Sequence, residues 1–341
     1  MSALTNPRLP KGSTILVTGV TGYIGSWVAY EALILGYKVR GAVRSLEKAA
    51  WLQKHFDSEF GPGQYSQVLL ADVSDKVGFE AAIKDVAGIA HIAVNTQLTT
   101  DPEPYIPQNV EETLTVLRAA QAETSVKSVV LTSSSMAAVA AGTKGKISKD
   151  AYNEECIKLA WDASFEHPFK NFLVYGAAKA QAEKAAWKYV EEEKPHYTLN
   201  TILPSCNFGP SLVYEKQGHP STGGWAKALY DGDLSMISNV PPQYFIDVRD
   251  TAKLHIAALV DTKTSNERLW GFAEPYSWNS VLAVFRKLWP QKNFIKELPD
   301  LSWDESIAPT DSALEALKDV YGQDRWITLE TALKEAGYDR E

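Results

Sequence analysis

Cysteine is scarce in this chain: Cys156 and Cys206 are the only two among 341 residues. Two thiols cannot make a disulfide scaffold, and they fit a reducing compartment in which each serves as a small hydrophobe. Long apolar runs are missing as well. No stretch of about 18 apolar residues occurs, so no transmembrane helix is expected. The opening MSALTNPRLPKGS holds prolines and no apolar segment, unlike a secretory signal, and a cytoplasmic protein is expected. The six histidines are scattered with no HExxH or CxxC, so no metal site is expected. Positive charge is in deficit, 34 Lys and Arg against 42 Asp and Glu for a net −8, which argues against a nucleic-acid partner. It leaves anionic small molecules open, because local charge can oppose the total.

What is present is an alternation. Short apolar runs at 14–18, 38–44, 67–72, 89–94, 128–134 and 198–203 read as strands, and the segments 26–37, 76–86 and 108–123 between them read as helices. Nearly continuous apolar strands alternating with helices indicate an α/β doubly wound parallel sheet of the Rossmann type. After residue 204 prolines and glycines punctuate the chain, and tryptophans follow at 225, 270, 278, 289, 303 and 326. Residues 1–204 and 246–262, including a helix at 248–260, are therefore expected to form a dinucleotide-binding domain. Residues 205–245 and 263–341 are expected to form a smaller, discontinuous substrate lobe.

Directly after the first strand stands TGVTGYIGS, with Gly19, Gly22 and Gly25 spaced G-x-x-G-x-x-G. Glycines there allow a tight turn and a close approach of backbone to a pyrophosphate, and the helix N-terminus offers free N–H groups. Thr21, Tyr23 and Ile24 share this turn and are candidate cofactor contacts. No Asp or Glu lies between Gly36 and Leu46 to take a ribose 2′-hydroxyl; Lys38, Arg40 and Arg44 stand there, with Lys48 just beyond. Arg44 at the strand end, supported by Lys48, suits a 2′-phosphate, so NADPH/NADP is the expected cofactor. Asp72 and Val73, at the end of the third strand, are candidates for the adenine site, with capping the rival role for Asp72. Ala93, in the fourth, is a further candidate.

The fifth strand runs into Thr132-Ser133-Ser134-Ser135, which places serines at the carboxyl edge where ligands bind in such sheets. Of 15 tyrosines only Tyr175 has a lysine four residues on, Lys179, and the run around them favours a helix that puts both on one face. Hydride transfer to a carbonyl carbon leaves charge on oxygen that must be protonated. A tyrosine can be that acid when an ammonium draws its pKa down from about 10, and a serine hydroxyl can hold the oxygen.

These motifs together resemble the extended short-chain dehydrogenase/reductases. The likeness is carried by TGVTGYIG, ADV at 71–73, LTSSS at 131–135, YGAAK at 175–179, LPSCNFGP at 203–210 and YFIDVRDTAKLH at 244–255, and it spans the chain. It is nearest to the yeast-type NADPH-dependent carbonyl reductases, the aldehyde and methylglyoxal reductases, and to the dihydroflavonol reductases. The resemblance implies Ser134, Tyr175 and Lys179 as the catalytic triad. It implies Arg44 and Lys48 at the 2′-phosphate, Asp72 and Val73 at adenine, and Leu203, Pro204 and Ser205 at the nicotinamide. Thr222 falls where related reductases have a further cofactor contact. One departure is Asn109-Val110-Glu111-Glu112-Thr113, where the family's N-V-x-G-T has glycine at position 112; looser helix packing is expected there, with the chemistry unaffected.

The expected activity is hydride transfer from NADPH to a small-molecule aldehyde or ketone. Gln97, Asn207, Phe208, Trp225 and Tyr244 are positional candidates for the substrate pocket. The rivals are a sugar-nucleotide epimerase or dehydratase of the same fold, disfavoured by the missing acid after the second strand, and a non-catalytic NADP-binding sensor, disfavoured by retention of the full triad. The sequence leaves the oligomeric state open.

Overall fold

The computed structural model describes residues 6–95, 98–140, 142–299 and 302–340. The chain opens β1 (Thr14–Thr18), α1 (Tyr23–Ile34), β2 (Lys38–Val43), α2 (Leu46–Phe60), β3 (Tyr65–Leu69), α3 (Lys76–Ile83), β4 (Gly88–His91) and α4 (Pro102–Ala122). It continues β5 (Ser128–Thr132), α5 (Ser135–Ala138), β6 (Gly145–Lys146), α6 (Glu154–Trp161), α7 (Lys170–Glu193), β7 (Thr198–Pro204), β8 (Cys206–Phe208), α8 (Tyr214–Gln217) and α9 (Thr222–Asp231). It ends β9 (Gln243–Asp247), α10 (Val248–Val260), β10 (Arg268–Gly271), β11 (Glu274–Tyr276), α11 (Trp278–Leu288), β12 (Ser306–Ile307), α12 (Asp311–Tyr321) and α13 (Leu329–Glu335).

Seven strands pair in the order β10-β7-β5-β4-β1-β2-β3, all parallel. The chain first steps outward from β1 to β3, then returns to β4 on the other side of β1. The strand order reverses between β1 and β4, and the carboxyl ends there form the crevice in which such sheets bind ligands. Both faces are covered. Val28, Ala29 and Ala32 of α1 join Leu254, Ala257 and Ala258 of α10 on one face. Phe79 of α3, Val116, Leu117 and Ala120 of α4 and Ala186 of α7 cover the other. Each fully buried Val, Leu or Ile contributes roughly 1.5–3 kcal/mol relative to exposure, so these layers hold the strand ends in place.

Helix α4 starts six residues before the sequence pattern indicated. Asp101 caps it by accepting from the Glu103 N–H at 3.2 Å, Pro102 sits in the first turn, and Pro107 lies inside the helix. Near a helix start a missing N–H is cheap, which is why Pro102 and Pro104 do not stop the helix there. The assignment of 263–341 wholly to the second lobe needs amending. Strand β10 extends the main sheet beside β7, and Ala313, Ala316, Leu317 and Val320 of α12 join the core under α10. Four residues of RLWG carry too short an apolar run to announce a strand; burial and pairing with β7 make it one.

A second apolar cluster gathers Phe208 of β8, Leu229 and Tyr230 of α9, Phe245 of β9, Tyr276 of β11, Trp278 and Phe285 of α11, and Leu333 of α13. A three-stranded sheet of order β11-β9-β8 backs it. It meets the main sheet above the glycine turn: the Tyr23 hydroxyl donates to the Gly209 carbonyl at 2.7 Å and Trp27 Nε1 to that of Pro210 at 2.9 Å. Gln217 Nε2 reaches the Thr21 and Gly22 carbonyls, each at 3.2 Å.

Candidate active site

The glycine turn has the geometry its spacing demands. Gly19 takes φ +64, and a β-carbon on Gly25 would lie 2.2 Å from the Gly19 carbonyl oxygen. No side chain caps α1 at Gly22 and no acid occupies its first turn, so the early amides of the helix are left to an anionic ligand. Thr21 and Gly22 are exposed and Ile24 is half-buried. Tyr23 is different: its buried side chain donates its hydroxyl proton to the Gly209 carbonyl, so that side chain belongs to the lobe junction. Behind the turn, Thr18 Oγ1 accepts from the N–H groups of Ile92 and Ala93 at 3.1 and 3.0 Å and gives its own proton to His91 Nδ1 at 2.9 Å. This fixes Ala93 against Gly19. Burial, with Lys179 nearby, drives the His91 pKa down to about 3, so the ring is neutral.

At the end of β2, Arg44 and Lys48 are exposed, and neither side chain makes a hydrogen bond or ion pair among the described residues. Arg40 points elsewhere and caps α3, donating to the Ala82 and Lys84 carbonyls at 2.9 and 2.7 Å. Asp72 is exposed and its Oδ1 accepts from the Ser74 N–H and hydroxyl, both at 2.8 Å, so the turn role competes with any adenine contact. These two bonds to Ser74 hold its pKa below the ordinary carboxylate value. Val73 beside it is half-buried.

At the end of β5 the two serines part ways. The Ser133 hydroxyl turns inward and donates to Glu183 Oε2 at 2.7 Å. Ser134 caps α5, accepting from the Met136 N–H at 3.2 Å, and lies beside the Tyr175 phenol. Tyr175 and Lys179 lie one turn apart on α7, a helix of 24 residues whose buried side is mostly alanine and glycine. Burial raises the Tyr175 pKa above 10, and Ser134 opposes that rise. Burial pushes the Lys179 pKa down to about 8, opposed by Glu183 and Glu112. Lys179 Nζ donates to the Thr132 carbonyl at 2.8 Å. Thr132 is held in turn by His255, whose Nε2 accepts from Thr132 Oγ1 at 2.7 Å while Nδ1 donates to the Thr251 carbonyl at 2.8 Å.

Several residues absent from the sequence reading hold this constellation. Glu183, one further turn along α7, accepts from Ser133, from Thr201 at 2.7 Å, and from Arg268 of β10 at 2.8 Å. Its i+8 spacing from Tyr175 is the one signal that would have placed it on the same face. Tyr105 of α4 lies beside Tyr175 and donates to the Asn95 carbonyl.

Leu203 and Pro204 end β7, and Ser205 follows with its hydroxyl donating to the Tyr244 carbonyl at 2.6 Å. Thr222 opens α9 and donates to the Asn207 carbonyl at 2.6 Å. Two of the expected pocket residues are displaced from that role. Phe208 is fully buried among Phe245, Tyr276 and Trp278, and Asn207 is buried and tied to Thr251 and the Ser205 carbonyl. Apolar packing and internal hydrogen bonding claimed both. Trp225 is half-buried, edge-on to Phe172 of α7 at 6.0 Å, and Tyr244 is half-buried with its hydroxyl on the Ser306 carbonyl at 2.8 Å. Gln97 lies outside the described residues.

Residues 15–269 match the model of the NAD dependent epimerase/dehydratase family. The chain belongs to that family. The chain is 38% identical over 339 residues to "Aldehyde reductase 2" of Sporidiobolus salmonicolor, covering 98% of each chain. "Ketoreductase adrE" of Penicillium rubens is 33% identical over the full length of both. Among solved structures, Gre2 of Candida albicans in complex with NADPH superposes with TM-score 0.80 at 26% identity, covering 96% of this chain and 97% of that one. The fold and the extended short-chain dehydrogenase/reductase grouping expected from the motifs are thereby shown. Among the described residues no helix is long and apolar enough to cross a membrane.

Proposed function

We propose that this family member is an NADPH-dependent reductase that converts small-molecule aldehydes or ketones to alcohols. One observation carries the reading: Ser134, Tyr175 and Lys179 converge at the carboxyl end of β5, across the strand-order reversal from the open glycine turn. The relatives named as aldehyde reductase and ketoreductase, and the NADPH complex of a structural neighbour, support it.

The residues present suit the cofactor. The glycine turn with the first amides of α1 takes the pyrophosphate, Arg44 and Lys48 the 2′-phosphate, Asp72 and Val73 the adenine. Ala93 and the Leu203–Pro204–Ser205 corner flank the nicotinamide, with Thr222 beyond. Bound NADPH supplies the hydride. The Ser134 hydroxyl holds the carbonyl oxygen and stabilises the charge that gathers there. The Tyr175 phenol donates its proton to that oxygen. The Lys179 ammonium, fixed on Thr132, favours the phenolate left behind. Trp225 and Tyr244 are the half-buried aromatics we place on the substrate side. We keep 205–245 with most of 263–341 as the substrate lobe, transferring β10 and α12 to the cofactor domain. Cytoplasmic residence is part of the same reading, supported by two buried free thiols.

The test is NADPH oxidation with a panel of aldehydes and ketones, using the wild type and Tyr175→Phe. We expect turnover by the wild type and a loss of roughly 10²–10⁴-fold in the variant, with NADPH affinity kept. Undiminished turnover by Tyr175→Phe would remove the assignment.

A further inference from the structure

Position 112, where the family motif has glycine, is glutamate here, and its carboxylate lies on the inner side of α4 toward α7. Glu112 is buried, and it shares with Lys179 the wall of a partly open cavity of about 30 Å³, together with Asn109, His91, Ser133 and Glu183. A cavity of that size, with several polar partners, accommodates roughly one water molecule.

The charges around Lys179 do not balance without Glu112. Glu183, the carboxylate on the same helix, is already paired. Arg268 meets it through Nε and Nη2 at 2.8 and 3.3 Å, with the two side chains 9% and 1% exposed. His91 from β4 and His255 from α10 are neutral, their pKa values lowered by burial to about 3 and about 4. Tyr175 carries no charge until it gives up its proton. Asp72, an exposed carboxylate, adds to the negative charge near Glu112 and does not offset it. Glu112 itself is bonded to a neutral partner, Gln108 Nε2 at 2.8 Å. Among the described residues lining the cavity, it is the one carboxylate without a cationic hydrogen-bond partner.

We infer that Glu112 is a positioning residue: it is the counter-charge that keeps Lys179 an ammonium within the buried site. The inference rests on the role given to Lys179 above. The substitution of glycine by glutamate thus bears on the chemistry, contrary to the packing effect expected from sequence, and α4 and α7 pack side by side regardless. Burial raises the Glu112 pKa above the ordinary carboxylate value, so its charge is present on the alkaline side and lost toward acid.

The sign of the effect does not depend on which group titrates. Above neutrality the Tyr175–Lys179 pair loses one proton, and a nearby negative charge makes either group hold it more tightly. Removing that charge moves the alkaline limb of the kcat/KM profile to lower pH. Glu112→Gln and Glu112→Gly should each shift the midpoint down by about one pH unit. Glu112→Asp should keep it near the wild-type position, and all four proteins should converge at acid pH.

The experiment is the pH profile of NADPH-dependent reduction for wild type and the three variants, alongside Tyr175→Phe and Lys179→Met. An unmoved limb in Glu112→Gln overturns the inference, as does an equal shift in Gln and Asp variants, which would show that shape and not charge matters. Activity retained by both Tyr175→Phe and Lys179→Met defeats the underlying site reading instead, and is thus distinguishable. If Glu112→Gly fails to fold, the near-isosteric Gln and the charged Asp variants still decide the matter.

Discussion

Glu183 and Arg268 form a buried ion pair that ties the catalytic helix to the outermost strand of the sheet. Its Oε2 also receives the Ser133 hydroxyl, so the pair fixes the loop from which Ser134 projects. The guanidinium additionally donates to the Lys149 and Ala151 carbonyls and sits 4.2 Å over the Tyr152 ring. Removing one member of such a pair strands the other. Glu183→Gln should therefore cost about 3–5 kcal/mol in urea-induced unfolding. In the fraction that stays folded, kcat should fall more than NADPH affinity, because Ser133 loses its charged acceptor. A loss below about 1 kcal/mol would mean that the pair is not sealed from solvent.

Cofactor choice gives a second prediction. Among the described residues neither Arg44 nor Lys48 has a side-chain hydrogen bond or ion pair, which suits the proposed 2′-phosphate role. Arg44→Asp should weaken NADPH binding by roughly 10–100-fold, the loss of a charge-assisted bond, and leave NADH binding nearly unchanged. Fluorescence titration with both nucleotides checks this, and an equal loss for the two would place the 2′-phosphate elsewhere.

The two aromatic candidates of the lobe should part in their behaviour. Phe208→Ala opens a hole in a fully buried aromatic cluster and should cost about 3–5 kcal/mol of stability. Trp225→Ala removes a half-buried ring that meets Phe172, one turn before Tyr175. It should raise the ratio of kcat/KM for bulky over small carbonyls by about tenfold. Thermal melts and a substrate series measured together separate the two, and a specificity change from Phe208→Ala alone would reverse their assignment.

The pH dependence follows from Lys179. Its pKa, lowered by burial to about 8, means that the ammonium is present below that value and lost above it. Reduction should therefore decline as pH rises past about 8, and Lys179→Met should give a low, flat profile across the same range. A wild-type rate constant up to pH 10 would contradict the role given to the lysine.

Much of this was legible in the sequence because it is local. The glycine turn, the basic end of β2 and the Tyr175–Lys179 pair each need only neighbours in the chain, and periodicity sets them on the right element. The strand-end serines were legible as a group, while the distinction between Ser133 and Ser134 depends on Glu183, half a hundred positions away. Phe208 and Trp225 have the same composition signature, and only packing shows which one is core. Strand β10 is four residues long, and its identity comes from β7 beside it. Glutamate at 112 was visible as a departure, but its meaning required knowing that Glu183 was already taken by an arginine from the far edge of the sheet.

The position of β10 in the chain bears on how the molecule is made. Residues 14–204 supply six of the seven strands, yet β10 and α12 come only after the second apolar cluster has been started by β8, α9 and β9. Until residue 271 is synthesised, β7 is an open edge and Glu183 lacks its arginine, and the apolar face of α10 awaits α12 until residue 321. The cofactor sheet is therefore not a unit that can finish folding on the ribosome ahead of the lobe. A nascent chain arrested near residue 210 should expose its last strand to chaperones, and release of that hold should come only as the polypeptide passes the arginine.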